Sequence, residues 1–275
     1  FEIGSLTKVF SSTVLASLVM DKKLKLEDPI HPYYPDPFSD NQPVSFLSLS
    51  NHTSGLPRLP GNMVITDQKN PYKNYGAKEL NEYLSQKMKL EKDAPVKYAY
   101  SNLGAGLLGH SLGLSQKTSF EKLLEKRIFK KYKMKNTFTG PKSVRGELVK
   151  GLDEKGNEVS SWEFDVLLGA GGILSTAEDL VKFALAHFDD RNKELALTRI
   201  PTFEINERRS IGLGWHIEKS ENGPALQWHN GATGGYTSCM ILDTKNKNGI
   251  IVLSNVSGLT PARENIDKMC FDLMD

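Results

Sequence analysis

Apolar residues at Leu6, Val9, Phe10, Val14 and Leu18, with Thr13 beside them, recur at helical spacing and predict a core helix over residues 5–20. The Pro-rich run 31–37 cannot lie inside a helix, so the chain turns away there. A short helix over 46–49 follows. The loop 58–75 shows no period, and residues 77–88 carry Leu80, Tyr83 and Leu84 on one face of a further helix. Residues 103–114 are apolar, glycine-rich and helical in pattern. Ser175 and Glu178 read as a capping box ahead of a helix bearing Leu180, Phe183, Ala184 and Phe188.

After Pro201 the texture changes to β-branched and aromatic runs, predicting strands at 211–217, 225–229, 236–242 and 250–253. Asn248-Gly249 marks a hairpin turn between the last two, which makes them antiparallel neighbours. A helix over 260–274, with Pro261 near its first position, closes the chain. Helices followed by a strand meander and a final helix indicate an α+β protein, and no period of 20 to 50 residues repeats.

With 275 residues and 39% apolar content the chain can bury a large core. Its 35 basic against 33 acidic residues leave a net charge of +2, which gives no field to steer a polyanion, so nucleic acid is not suggested. The basic run 122–135 alternates with Leu123, Leu124, Ile128 and Phe129 at helical spacing, a solvated face over a packed stripe. No stretch is long and apolar enough for a membrane span, and none looks like a signal peptide. Cys239 and Cys270 leave one disulfide or two buried thiols equally open. The histidines show no metal-ligand spacing, so no metal site is named.

Candidate chemistry begins at Phe1-Glu-Ile-Gly-Ser-Leu-Thr-Lys8. Residues three apart on a helix are neighbours, so the Lys8 amine can reach the Ser5 hydroxyl. Serine is a weak nucleophile until a base takes its proton, and lysine serves as that base only where its surroundings lower its pKa. Ser-x-x-Lys recurs at Ser119 and Lys122, where it reads as helix surface. Tyr100-Ser-Asn102 offers a phenol, whose proton a nearby cationic lysine would loosen, and an amide able to hold both lysine and a substrate. Tyr-x-Asn also recurs, at Tyr72 and Asn74. In Trp228-His-Asn-Gly-Ala232, Gly231 leaves room for substrate along a strand edge and His229 would face a cleft, although a lone histidine is more often a satisfied structural residue. Gly104-Ala-Gly-Leu-Leu-Gly109 matches the dinucleotide fingerprint by letters but lacks a preceding strand, so close helix packing is the better reading. The turn from Gly169 to Ser175 lacks the Lys-Ser/Thr of a phosphate loop. No cofactor is therefore expected.

The three motifs at Ser5, Tyr100 and His229, in that order, resemble those of the penicillin-recognising serine hydrolases, in the branch of class C β-lactamases, D-stereospecific peptidases and related carboxylesterases. Asn51-His-Thr-Ser-Gly-Leu-Pro57, Gly169-Ala-Gly-Gly-Ile-Leu-Ser-Thr176 and Gly212-Leu-Gly-Trp215 look like the same family's connecting segments. The resemblance implies a β-lactamase/transpeptidase-like fold, with an antiparallel sheet flanked by helices (residues 1–30 and 201–275), a mainly helical lobe (31–200) and a site between them. It implies Ser5 as acylated nucleophile, Lys8 as its deprotonating partner, Tyr100 as base then acid, and Asn102, His229 and Gly231 as substrate-binding residues. The oxyanion hole would be the backbone N–H groups of Ser5 and Ala232.

Two departures shape the expectation. His229 stands where class C β-lactamases carry lysine, which favours an ester or D-amino-acid peptide or amide substrate over a β-lactam. The helix and strand hairpin that precede the serine in the family are missing, which predicts an open sheet edge unless another segment covers it. The rival reading is a non-catalytic protein binding peptides or peptidoglycan on this scaffold, against which the complete set of Ser5, Lys8, Tyr100 and Asn102 argues. By resemblance the location would be the cell envelope, periplasm or exterior.

Overall fold

The computed structural model describes residues 1–91, 96–220, 223–261 and 263–274. Its first half is helical: α1 (Thr7–Met20), α2 (Phe46–Ser50), α3 (Ala77–Glu82), α4 (Asn102–Ser115) and α5 (Phe120–Leu124). Short strands β1 (Phe138–Thr139), β2 (Gly151–Leu152) and β3 (Glu158–Val159) follow, then α6 (Leu168–Gly171), β4 (Ile173–Leu174), α7 (Ala177–His187) and α8 (Lys193–Thr198). The meander comprises β5 (Phe203–Glu204), β6 (Arg209–Ile211), β7 (His216–Glu218), β8 (Leu226–Ala232), β9 (Thr237–Asp243) and β10 (Asn248–Ser254), and α9 (Arg263–Asp272) comes last. These six strands form one antiparallel sheet in the order β10-β9-β8-β7-β6-β5.

Helix α1 is the axis of the molecule, packed against α2, α4, α5, α6 and α8. A helix apolar on one stripe only would leave its other side in water, whereas here Ser11, Ser12 and Thr13 are buried too. Each of their hydroxyls is satisfied: Ser11 donates to Gly169 O (3.0 Å), Ser12 bonds Ser50 (2.8 Å) and Thr13 donates to Val9 O (2.8 Å). Alternation along β8 and β9 divides the sheet between two cores. Trp228, Cys239 and Ile241 face α9, while Met240 and Leu242 join the main core that also holds α1. Both cysteines are free and buried in the α9 core, so of the two readings left open the thiols hold.

Several expected bounds shift for local reasons. The run 211–217 is not one strand but a reversal, β6 to β7, turning at Gly214 with φ +76°. A Cβ there would stand 2.9 Å from Lys8 O and 2.7 Å from Ser12 Oγ, so the turn is shaped by the surface of α1. The β9–β10 hairpin exists, but its turn is residues 244–247, with Lys247 at φ +58°, and Asn248 and Gly249 already pair with Asp243 and Leu242. The cap of α7 is Thr176, accepting from Asp179 N at 3.2 Å, because Ser175 is engaged with Thr137 at 2.8 Å. Glu178 pairs instead with Lys182. Helix α3 ends at Glu82 and gives way to a wider turn over Tyr83–Lys87. Ser119 caps α5, so the second Ser-x-x-Lys is a helix start. The glycines at 104–109 do serve packing, since a Cβ at Gly109 would press on Phe120 at 2.8 Å.

Candidate active site

Ser5 sits on a 3-10 turn, Gly4–Leu6, that leads into α1 and lies against the end of β8. The close approach requires two glycines. Gly4 has φ +49° and no room for a side chain, since a Cβ would stand 2.6 Å from Ala232 N. A Cβ on Gly231 would collide with Ile3 O and stand 2.6 Å from Ser238 Oγ. The room that was expected for substrate beside Gly231 is thus filled by the serine-bearing segment itself. Ile3 is further fixed, its carbonyl accepting from Ser238 Oγ (2.8 Å) and its N–H donating to Ile173 O (3.0 Å). Of residues 2–16 only Ser5 is not buried, so the fold presents this one side chain.

Lys8 is 2% exposed, and its amine lies within hydrogen-bonding reach of Ser5 Oγ (3.0 Å), Asn102 Oδ1 (3.0 Å) and Ala170 O (2.8 Å). No carboxylate is among these partners. Burial, and then the Arg58 charge, hold the amine well below its ordinary pKa of 10.5. A neutral amine has two hydrogens and one lone pair. Asn102 Oδ1 and Ala170 O can only accept, so the lone pair is left for the one partner that can donate, the Ser5 hydroxyl. The arrangement is that of a base set against a nucleophile.

Tyr100 is half-buried, its ring 4.8 Å from the Lys8 nitrogen and 5.4 Å from the Arg58 guanidinium. Burial pushes its phenol up to about 12, with a hydrogen bond to Ser5 and the Arg58 charge acting the other way. The expected loosening of this proton by lysine is not among the causes: what acts against burial is the Ser5 hydrogen bond and the Arg58 charge. Asn102 opens α4, held there by Ser101, whose Oγ accepts from Gly104 N at 2.8 Å. Its Nδ2 donates to the Tyr72 hydroxyl at 3.0 Å, so both ends of this amide have protein partners.

His229 is 1% exposed, lying inside rather than lining an open cleft. Its Nδ1 lies 2.6 Å from Asn230 O, a pure acceptor, which makes Nδ1 the donor and Nε2 a lone-pair site that is buried without a partner. Burial first, then the neighbouring His216 and Lys8, hold its pKa well below the ordinary value, so it is neutral. Thr233 N bonds Tyr236 O at 2.9 Å, and the β8–β9 register therefore points Ala232 N away from β9. Strand β7 pairs with β8 only as far as Trp228, leaving that side of Ala232 beside Gly4 and Ser5.

Four residues of this cluster escaped the sequence reading. Tyr72 stands in the sequence only as a second Tyr-x-Asn. His52, whose Nδ1 accepts from Ser101 N at 3.2 Å and whose ring lies 4.6 Å from Tyr100, belongs to the 51–57 run that was noticed only as a connecting segment. His216 lies 5.4 Å from His229, ring to ring. Arg58 follows Pro57 directly. No group of three or more His, Cys, Asp or Glu among the described residues could hold a metal ion.

The Beta-lactamase family model matches residues 1–269. The chain belongs to that family. It is 27% identical over 285 residues to the D-alanyl-D-alanine-carboxypeptidase/endopeptidase AmpH of Escherichia coli K12, covering 94% of this chain and 71% of that protein. To a β-lactamase of Lysobacter lactamgenus it is 29% identical, over 72% of this chain and 50% of that one. Among solved structures, the β-lactamase/D-alanine carboxypeptidase of Pseudomonas syringae superposes over 100% of this chain and 84% of its own, with TM-score 0.82 at 20% identity. A D-stereospecific amidohydrolase from Streptomyces gives TM-score 0.82 at 20% identity, over 98% of this chain and 86% of its own. This β-lactamase-family serine hydrolase thus has the fold that the three motifs imply. No helix among its described residues is long and apolar enough to cross a membrane.

Proposed function

We propose that this family member forms an acyl-enzyme on Ser5 and hydrolyses an ester or a D-amino-acid peptide or amide. The observation that carries the reading is the buried Lys8 amine, without a carboxylate partner, 3.0 Å from the Ser5 hydroxyl. As Ser5 Oγ adds to the substrate carbonyl, its proton passes to Lys8 and the carbonyl oxygen becomes an oxyanion held by the N–H groups of Ser5 and Ala232. Tyr100, a phenol in the resting site, gives its proton to the departing oxygen or nitrogen and is reprotonated from Lys8. Water then repeats the sequence in reverse, its proton taken up as Ser5 leaves the acyl group. Asn102 holds Lys8 and borders the acyl side.

The neutral His229 supports an ester or D-peptide over a β-lactam, because β8 offers no charge to a ring carboxylate. The test is incubation with a fluorophosphonate and with a fluorescent penicillin, read by intact mass, with Ser5→Ala as control. One adduct on the wild-type chain and none on the variant is expected, together with turnover of p-nitrophenyl esters. No adduct and no ester hydrolysis would leave the non-catalytic binding reading standing. Cephalosporin turnover outpacing that of esters and D-peptides would make the chain a β-lactamase instead.

A further inference from the structure

Tyr100 stands on irregular chain, for residues 96–101 form neither helix nor strand before α4 begins. A proton donor must be held in place, so its hold has to come from outside this loop. The 51–58 run supplies it. Pro57 O accepts from Ser101 Oγ (2.6 Å), and Arg58 O from Asn102 N (3.0 Å) and Leu103 N (3.1 Å), which fixes the residues that follow the tyrosine. His52 grips the tyrosine and both its neighbours. Its carbonyl accepts from Ala99 N (2.8 Å), its Nδ1 accepts from Ser101 N (3.2 Å), and its ring lies 4.6 Å from the Tyr100 ring, inclined by 35°. Burial first, then the neighbouring Lys8 and His216, hold this histidine well below its ordinary pKa, so the ring is neutral, with Nδ1 as acceptor and the N–H on Nε2. The grip comes at a backbone cost. His52 has φ +60°, just past the end of α2, where Thr53 N donates to Ser48 O at 2.9 Å; the left-handed residue of such a helix end is usually glycine. Glycine would relax the turn, but it has neither ring nor acceptor. Strain of this kind gathers at functional sites.

We propose that His52 is the positioning residue of Tyr100, aiming the phenol at the departing group, so that cleavage of substrates with poor leaving groups depends on it. This rests on the hydrolase reading above. His52 needs no contact with substrate; it acts through the ring and the two backbone N–H groups that it touches. As an ester C–O bond breaks, its electron pair stays on the departing oxygen, which takes the Tyr100 proton. A weakly basic leaving group such as p-nitrophenolate departs with little help from that proton, and so with little need of His52. The more basic phenolate needs both.

The experiment measures kcat/KM for the p-nitrophenyl and phenyl esters of one acid in wild type, His52→Ala, Tyr100→Phe and the double variant. His52→Ala is expected to slow the phenyl ester by about 10²-fold, the cost of a misplacement near 1 Å at a reacting group, and the p-nitrophenyl ester far less. Tyr100→Phe should show the same selectivity, and adding His52→Ala to it should cost little more, because both act through one proton. His52→Asn, which keeps an acceptor and suits a left-handed backbone, should recover part of the phenyl ester rate. Fluorophosphonate labelling of Ser5 shows that each variant is folded; where His52→Ala does not label, the same selective loss, in smaller measure, is expected of His52→Asn. Equal losses on the two esters, no loss on either, or losses that multiply in the double variant would overturn the positioning role and leave the hydrolase reading intact. Absence of labelling on wild type would remove the hydrolase reading, and the role with it.

Discussion

Lys8 faces a conflict that its neighbours resolve in one direction only. Protonated, it would be a cation buried with neutral acceptors and the Arg58 charge nearby; deprotonated, it satisfies the same neighbours and keeps a lone pair for Ser5. Acylation therefore needs the neutral amine, and its rate should rise with pH through the depressed Lys8 pKa and then level off. Tyr100 stays a phenol over that span because its own pKa lies at about 12. Initial rates with a neutral ester from acid to alkaline pH test this, and a profile that falls with rising pH would refute it. Lys8→Met, close in volume but without a base, should slow acylation by about 10²–10⁴. The pair itself is legible in the sequence because three residues separate it on one helix. Tyr72 is not, since its partner Asn102 lies 30 residues on and the contact depends on how α4 docks. Its apparent motif mate Asn74 turns elsewhere, donating to Thr66 Oγ1 at 2.9 Å.

Strand β8 positions the nucleophile by touching its backbone. Gly231→Ala must force β8 from Ile3, and both Ile3 and Ser238 are fixed by their own hydrogen bonds. Overpacking of this kind costs about 1–3 kcal/mol, and a displacement near 1 Å at a reacting group costs about 10²-fold in rate. The variant should melt lower and acylate at least that much more slowly. Gly61→Ala, where a Cβ meets nothing within 4 Å, should do neither. Wild-type labelling kinetics in Gly231→Ala would show that β8 does not set the serine. At this scale the hydrophobic pattern was informative where an element is long and mostly buried, as for α1, α4 and β9. It misjudged elements whose limits are imposed from outside. The reversal at Gly214 exists because α1 blocks a straight path, and the 244–247 turn takes a left-handed lysine in place of the Asn-Gly pair. Neither constraint is written in the local residues.

The fold buries four of its six histidines. His52, His216 and His229 surround the site, and His187 lies far along the chain between Phe183 and Trp215, with neither ring nitrogen hydrogen-bonded. Burial lowers all four from the ordinary 6.5, His216 to about 4 and the others well below their usual value. Below 6.5 the unfolded chain takes up protons at these residues and the folded chain does not, so stability must fall as pH falls, until each folded pKa is reached. Each such histidine contributes up to about 1.4 kcal/mol per pH unit within its window. Glu2 and Asp267, whose carboxyls burial raises, act in the opposite sense, but they are two against these four and His110, which burial also lowers. Urea titrations at neutral and mildly acid pH should therefore show a steep loss of unfolding free energy on the acid side. His187→Phe offers the sharper comparison, since the ring contacts of His187 are with Phe183 and Trp215 and not with Ser5, Lys8 or Tyr100. It should remove one histidine's share of the slope while leaving ester turnover near wild type; a slope equal to that of the wild-type chain would mean that His187 is protonated in the folded protein.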